Sequence, residues 1–166
     1  MDVGVIGVGV VGGACKFGFE LAGHNVLVHD IALETTIDDV LPSEVVYICV
    51  PTPRDDDGSC DISIVRQVIS ELKNKGYEGV IAIKSTVVPG TTEILRMQTG
   101  MNIIFVPEFL RERYAITDFT ENHDVCIIGC SDDETFEIVK DCHGPFPEKF
   151  VRLSHAEAEF CKYFNN

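Results

Sequence analysis

The sequence predicts an α/β domain, a single doubly wound and mostly parallel sheet with helices on both faces. Three observations carry that expectation. Short apolar runs alternate with stretches of helical periodicity along all 166 residues, the pattern of repeated strand–helix–strand units. The first apolar run passes directly into a glycine-punctuated turn, Gly7-Val8-Gly9-Val10-Val11-Gly12, which opens a helical stretch. And the loops richest in chemistry-bearing residues (7–12, 30, 50–53, 84–86 and 107–112) each follow a strand rather than a helix. In a parallel sheet such loops gather at one rim, where ligands bind.

The elements follow in order. Residues 3–6 are a buried strand and 10–21 a helix. Asn25 to His29 form the next strand, which ends in Asp30. Residues 31–43 hold only a helical turn, closed by Pro42. The apolar run 44–50 is a strand, and two prolines with Asp57-Gly58 make 51–58 a loop. Asp61 or Ser63 then caps a helix to about residue 75, its apolar face set by Ile64, Val65, Val68, Ile69 and Leu72. A strand at 79–83 precedes Pro89-Gly90, and Thr91 or Thr92 caps a helix to about residue 98. Residues 102–106 form a strand, and Pro107 is expected to open a short helix. A strand at 125–128, a helix at 132–141 and a strand at 149–153 complete the sheet. Ser154 caps a last helix running to the chain end.

Bulk properties narrow the function classes. A net charge of −14 argues against nucleic acid and anionic membrane surfaces as partners. No apolar run approaches a membrane span, and the N-terminus enters a core strand without a basic leader, so a cytoplasmic location is expected. Seven cysteines, an odd number without a C-x-x-C pair, suggest reduced thiols rather than a disulfide frame or a zinc knuckle. No metal is expected.

The opening turn has the context of a dinucleotide fingerprint, so the fold expectation sharpens to Rossmann-like. Gly7 permits the tight turn, Gly9 lets backbone approach a pyrophosphate, and Gly12 lets helix pack on strand. The helix N-terminus offers unpaired N–H groups and partial positive charge. Asp30 lies 18 residues beyond Gly12, placed to accept hydrogen bonds from ribose hydroxyls and to repel a 2′-phosphate. NAD is therefore the expected cofactor rather than NADP.

Two further constellations bear chemistry. If 107–112 is helical, Glu108 and Glu112 share a face one turn apart, suited to acid–base work or to orienting water. The cofactor signal sets aside the other use of a carboxylate pair, glycoside hydrolysis. Lys162 and Asn166, four apart on the last helix, can together hold a developing oxyanion. On spacing alone a solvated acidic face fits the two glutamates as well as a catalytic pair does, and a surface lysine on a terminal helix fits Lys162 better than an oxyanion site.

Five stretches resemble the UDP-glucose/GDP-mannose dehydrogenase family, most closely its UDP-glucose 6-dehydrogenase branch. They are residues 4–12, Val50-Pro51-Thr52-Pro53 with Asp57-Gly58, Lys84-Ser85-Thr86-Val87-Val88-Pro89-Gly90-Thr91-Thr92, Pro107-Glu108-Phe109-Leu110-Arg111-Glu112, and Ala158-Glu159-Phe160-Cys161-Lys162-Tyr163 through Asn166. The resemblance implies oxidation of a nucleotide-sugar C6 alcohol to a carboxylate in two NAD-dependent hydride transfers. By the same resemblance, Val8, Val10 and Val11 join the three glycines and Asp30 around NAD, with Val50, Pro51, Thr52, Ser85, Thr86 and Glu112. Thr86 would position water, Glu108 would serve acid–base work, and Lys162 and Asn166 would stabilise oxyanion character at C6. Phe109, Leu110 and Arg111, with Glu108, Glu112, Lys162 and Asn166, would line the sugar-nucleotide site.

On this reading residues 1–153 are the NAD-binding domain, and 154–166 start the family's linking helix. The family's catalytic cysteine and its C-terminal domain are not among the stretches matched. A homodimer, or a separate C-terminal half, is the partner the resemblance implies. The segment between Asp30 and Glu44 is shorter than in the family, as if a helix and a strand were dropped. Two other readings stand beside this one: a non-catalytic dinucleotide-binding module or partner subunit, and a Rossmann dehydrogenase of the 6-phosphogluconate or 3-hydroxyacid type, against which the Pro107–Leu110 block argues.

Overall fold

A computed structural model describes residues 1–54 and 59–165. Asp57 and Gly58 of the expected loop, and the candidate Asn166, lie outside the described residues. Seven strands form one sheet: β1 (Asp2–Ile6), β2 (Asn25–His29), β3 (Val45–Ile48), β4 (Val80–Ile83), β5 (Ile103–Phe105), β6 (Val125–Gly129) and β7 (Lys149–Leu153). Their spatial order is β2-β1-β3-β4-β5-β6-β7. Every neighbouring pair is parallel except β5 and β6, which meet antiparallel at Phe105 and Gly129. The Rossmann-like, mostly parallel sheet is thus as expected.

Six helices cover it: α1 (Val10–Leu21), α2 (Ser63–Asn74), α3 (Thr91–Thr99), α4 (Ala115–Thr120), α5 (Asp133–His143) and α6 (His155–Asn165). Strand residues alternate between two apolar layers because a strand has a side-chain period of two. Val3, Val5, Tyr47, Ala82, Ile104 and Ile128 pack against Cys15 and Phe19 of α1, Phe119 of α4, and Val139 of α5. Ile6, Val46, Ile48, Ile81, Ile83 and Phe105 face Val65, Ile69 and Leu72 of α2, Leu95 of α3, and Ala158 of α6. Ile64, expected on the apolar face of α2, is instead exposed at its edge. No described helix is long and apolar enough to cross a membrane. None of the seven cysteines is joined in a disulfide among the described residues.

Two features of the fold place the site. The chain runs outward from β1 to β2 and returns past β1 to β3, so direction reverses between β1 and β3. A ligand crevice forms at such a reversal. The return is made by a short 3-10 helix, Ile37–Val40, closed by a Thr36–Asp39 capping box, and β2 is left at the sheet edge. This matches the shortened 31–44 segment. Main-chain bonds also continue across the rim: Gly7 N to His29 O, Cys49 N to Ile6 O, Lys84 N to Ile48 O and Val106 N to Ile83 O, all between 2.8 and 2.9 Å. Four of the five marked loops are therefore tied to the strand beside them, and the fifth, at Asp30, follows the His29 carbonyl.

Candidate active site

The turn after β1 divides its labour among its glycines. Gly7 sits at φ +88°, and a Cβ there would come within 2.8 Å of the Cys49 carbonyl oxygen. A Cβ on Gly12 would overlap the Gly7 carbonyl oxygen. Both glycines serve chain-on-chain contact. Gly9 differs: nothing lies within 4 Å of a Cβ built on it. It precedes the first residue of α1, and no side chain caps that helix end. The N-terminus of α1 is thus left with open space in front of Gly9, the arrangement a bound diphosphate requires.

Asp30 stands beside this turn. Its Oδ2 accepts the Val8 N–H at 2.6 Å and its Oδ1 the Ala32 N–H at 2.8 Å. Those hydrogen bonds hold its carboxyl below the usual aspartate range. An ionised acceptor lies at the end of β2, next to the glycine turn. Turn and acid together fit a dinucleotide. Across the crevice, Ser85 Oγ donates to the Val50 carbonyl at 2.6 Å, which holds the loop after β4 against the loop after β3. Pro51 and Thr52 lie in that second loop. The Thr52 and Thr86 carbonyls both accept from the Cys60 thiol, at 3.8 and 3.3 Å.

The expected helix at Pro107 does not form. Residues 107–111 have no regular structure, a 3-10 turn covers Glu112–Tyr114, and α4 begins at Ala115. Glu108 and Glu112 therefore share no helix face. The physical reason is local. Glu108 Oε2 accepts the Leu110 N–H at 2.7 Å, a side-chain turn that competes with helix. Arg111 is then bound by Asp118 through its backbone N–H and Nε, both at 2.9 Å, and Nη2 at 2.6 Å. Arg111 also lies over the Tyr114 ring at 4.9 Å. This clamp holds the Asp118 carboxyl far below its ordinary range. Arg111 thus fixes the loop, and the Glu112 side chain is exposed and off the cavity wall.

Within this loop lies a cavity of about 840 Å³, between the ends of β4 and β5, the α4–β6 connection and α6. Glu108, Phe109, Leu110 and Arg111 line it, as do Lys84, Cys161 and Lys162. Lys162 Nζ donates to Glu108 Oε1 at 2.8 Å, with both side chains mostly buried, and stands 5.8 Å from the Phe109 ring centre. Residues 54 positions apart thus form one ion pair. Two of the proposed catalytic groups are brought together here. Thr86 is on the same rim, in the loop after β4.

Glu159 carries a part in this site that the sequence did not announce. The expected caps of α3, Thr91 and Thr92, do not act so: the cap position is Gly90, in the left-handed region and without a side-chain bond of its own. Glu159 of α6 supplies the bond instead. It is fully buried, and takes the Gly90 N–H at 2.5 Å, the Thr92 N–H at 2.7 Å and the Thr92 hydroxyl at 2.6 Å. One turn along, the same helix presents Lys162. Glu159→Ala should lower stability by about 3 kcal/mol, since it strands three buried donors, while Glu159→Gln, keeping one acceptor, should lose less. Urea unfolding checks the order.

The fold and this rim define a dinucleotide-binding α/β domain with a buried Lys–Glu pair at its crevice. Comparison with known proteins narrows the class. The profile for the NAD binding domain of the UDP-glucose/GDP-mannose dehydrogenase family matches residues 32–147. The chain belongs to that family, and it is an NAD-binding domain. A UDP-glucose 6-dehydrogenase of Haloferax volcanii is 31% identical over 152 residues, covering 80% of this chain and 35% of that one. A putative UDP-glucose 6-dehydrogenase of Bacillus subtilis is 37% identical over 134 residues, 74% of this chain and 31% of the other. The solved UDP-glucose dehydrogenase of Pyrobaculum islandicum superposes with a TM-score of 0.85 at 27% identity, covering 98% of this chain and 48% of that one. The chain therefore spans about a third of the curated relatives and about half of the solved one.

Proposed function

We propose that this chain is the cofactor-binding part of a nucleotide-sugar 6-dehydrogenase, one that takes UDP-glucose to UDP-glucuronate with two NAD+. The observation that carries the reading is the buried Lys162–Glu108 pair, 2.8 Å apart on the cavity wall at the cofactor rim. A binding-only module has no need of a desolvated ammonium there. Bound NAD supplies the hydride acceptor. The glycine turn and the N-terminus of α1 take its diphosphate, Asp30 takes the adenosine ribose, and Val50, Pro51, Thr52 and Ser85 flank it. Lys162, with Asn166 four residues further along the sequence, stabilises negative charge on the C6 oxygen. Glu108 exchanges a proton with the reacting oxygen or with water, and Thr86 positions that water. Leu110 and Phe109 offer the sugar backbone and ring surface.

The second oxidation requires a covalent nucleophile to hold the aldehyde. The thiol is proposed to come from a further segment, covalent or separate, outside residues 1–166. Cys161 is the one cysteine on the described cavity wall, and it lies outside the context of the family's catalytic cysteine.

Calorimetry with NAD and NADP, with and without UDP-glucose, tests the assignment. NAD should bind, NADP should bind at least tenfold more weakly, and UDP-glucose should bind to the NAD complex. Absence of NAD binding overturns the reading. Steady NADH formation from NAD and UDP-glucose by these 166 residues refutes the need for a further thiol-bearing segment. Asp30→Ala removes both the ribose acceptor and the Val8 N–H partner. It should weaken NAD about tenfold or more, roughly the 1.4 kcal/mol of one charged hydrogen bond.

A further inference from the structure

Among the described residues, the cavity holds one cation that has no anionic partner. Lys162 is paired with Glu108 and Arg111 with Asp118. Lys84, at the end of β4, is 3% exposed and forms no ion pair among the described residues. Its ammonium donates to the Val106 carbonyl at 3.3 Å and lies 5.7 Å from the Tyr47 ring centre. An ammonium carries three N–H donors, so two remain unspent toward the described residues. The nearby imidazoles offer no counter-charge. A histidine ring is neutral or cationic, never anionic, and burial, with the Lys84 charge beside it, pushes His123 down to about 4 and His143 well below its ordinary value. Desolvating a cation without an anion is costly, and this one faces a cavity with room for a hexose.

We infer that Lys84 is the anion subsite of this cavity, and that the anion it takes is the carboxylate formed at C6. The inference rests on the nucleotide-sugar reading above and adds to it the group that recognises product. Two points favour a carboxylate over a diphosphate. Lys84 binds the carbonyl of Val106, two residues before Glu108, so it stands beside the groups proposed to act at C6. Two unspent N–H donors match a single carboxylate, whereas a diphosphate spreads more charge than one ammonium balances. The residue thereby makes the cavity favour the acid over the alcohol it comes from, and over the aldehyde between them, which is neutral until it is oxidised to the carboxylate.

The test uses the 166-residue chain in the presence of NAD and titrates UDP-glucuronate, UDP-glucose, D-glucuronate and inorganic pyrophosphate by calorimetry, with the Lys84 side chain followed by 13C-labelled lysine NMR. Wild type should bind UDP-glucuronate at least tenfold more tightly than UDP-glucose, with D-glucuronate shifting the Lys84 signal. Lys84→Met should erase the ratio, and Lys84→Arg should keep most of it. Circular dichroism and a thermal melt show whether each variant is folded. If Lys84→Met does not fold, the wild-type ratio and the Lys84 shift decide alone. Equal affinity of the two nucleotide sugars in wild type overturns the inference, as does their equal loss in Lys84→Met or a Lys84 shift caused by pyrophosphate but not glucuronate. Failure of NAD to bind at all is a different result, and it removes the nucleotide-sugar reading instead.

Discussion

Gly12→Ala is expected to unfold much of the cofactor half, whereas Gly9→Ala leaves the fold intact and abolishes NAD binding. The contrast follows from what each missing Cβ would meet. At Gly12 it would overlap the Gly7 carbonyl oxygen, and it would also lie 3.0 Å from the Gly7 carbonyl carbon and 3.3 Å from Cys49 Cβ. These are backbone or core atoms with no room to give. Relief requires α1 to move off β1, taking Cys15 and Phe19 out of the core. A loss of roughly 4 kcal/mol, at the severe end for a point substitution, is the expected cost. At Gly9 no atom lies within 4 Å of the added methyl, so stability should change by only a few tenths of a kcal/mol, if at all. The methyl would instead stand where a diphosphate must come close to the first amides of α1. Chemical unfolding measures the first effect and NAD calorimetry the second. A stable Gly12→Ala, or a Gly9→Ala that binds NAD as wild type does, contradicts this division of labour.

Much of this was legible in the sequence because the determinants are local. The glycine spacing, the strand that ends in Asp30 and the alternation of strands with helices each read from neighbouring residues, and each stands in the structure at or within two residues of its expected bounds. What stayed hidden depends on residues far apart. The 107–111 segment has a proline at its start and helix-compatible residues after it, yet Glu108 folds onto the Leu110 N–H and Asp118 clamps Arg111. Neither contact leaves a periodic trace. The capping of α3 by Glu159 spans 67 positions, and the two threonines at 91–92 are a persuasive local decoy. One signal could have found it: Glu159 and Lys162 are three apart, so a helix that aims one inward aims both. The unneutralised state of Lys84 could be seen only once Glu108 and Asp118 had been assigned to other cations.

Glu108→Ala should lower stability by about 3–5 kcal/mol, because it strands the Lys162 ammonium in a site only 7% exposed and leaves it no carboxylate. The Leu110 N–H loses its partner in the same step. Lys162→Met is the milder change. Glu108 keeps the Leu110 bond and is 13% exposed, and methionine retains the apolar length of the side chain against Phe109. Combining Glu108→Ala with Lys162→Met should therefore be less harmful than Glu108→Ala alone, since the second change removes the charge that the first one strands. Such a sign of coupling is the mark of a buried ion pair, and a surface pair would give near-additive losses of a few tenths of a kcal/mol. Urea unfolding of the four proteins gives the coupling energy directly. The functional consequence separates from the stability one. Both single variants should bind NAD about as wild type does, because the turn after β1 and Asp30 are untouched. Both should lose NAD-dependent oxidation of UDP-glucose in the complete enzyme by about a hundredfold or more, the scale of an oxyanion-stabilising or proton-transferring group. A double variant that is less stable than Glu108→Ala would show that Lys162 is held by its packing rather than by Glu108, and the pair could then no longer carry the assignment of chemistry to this cavity.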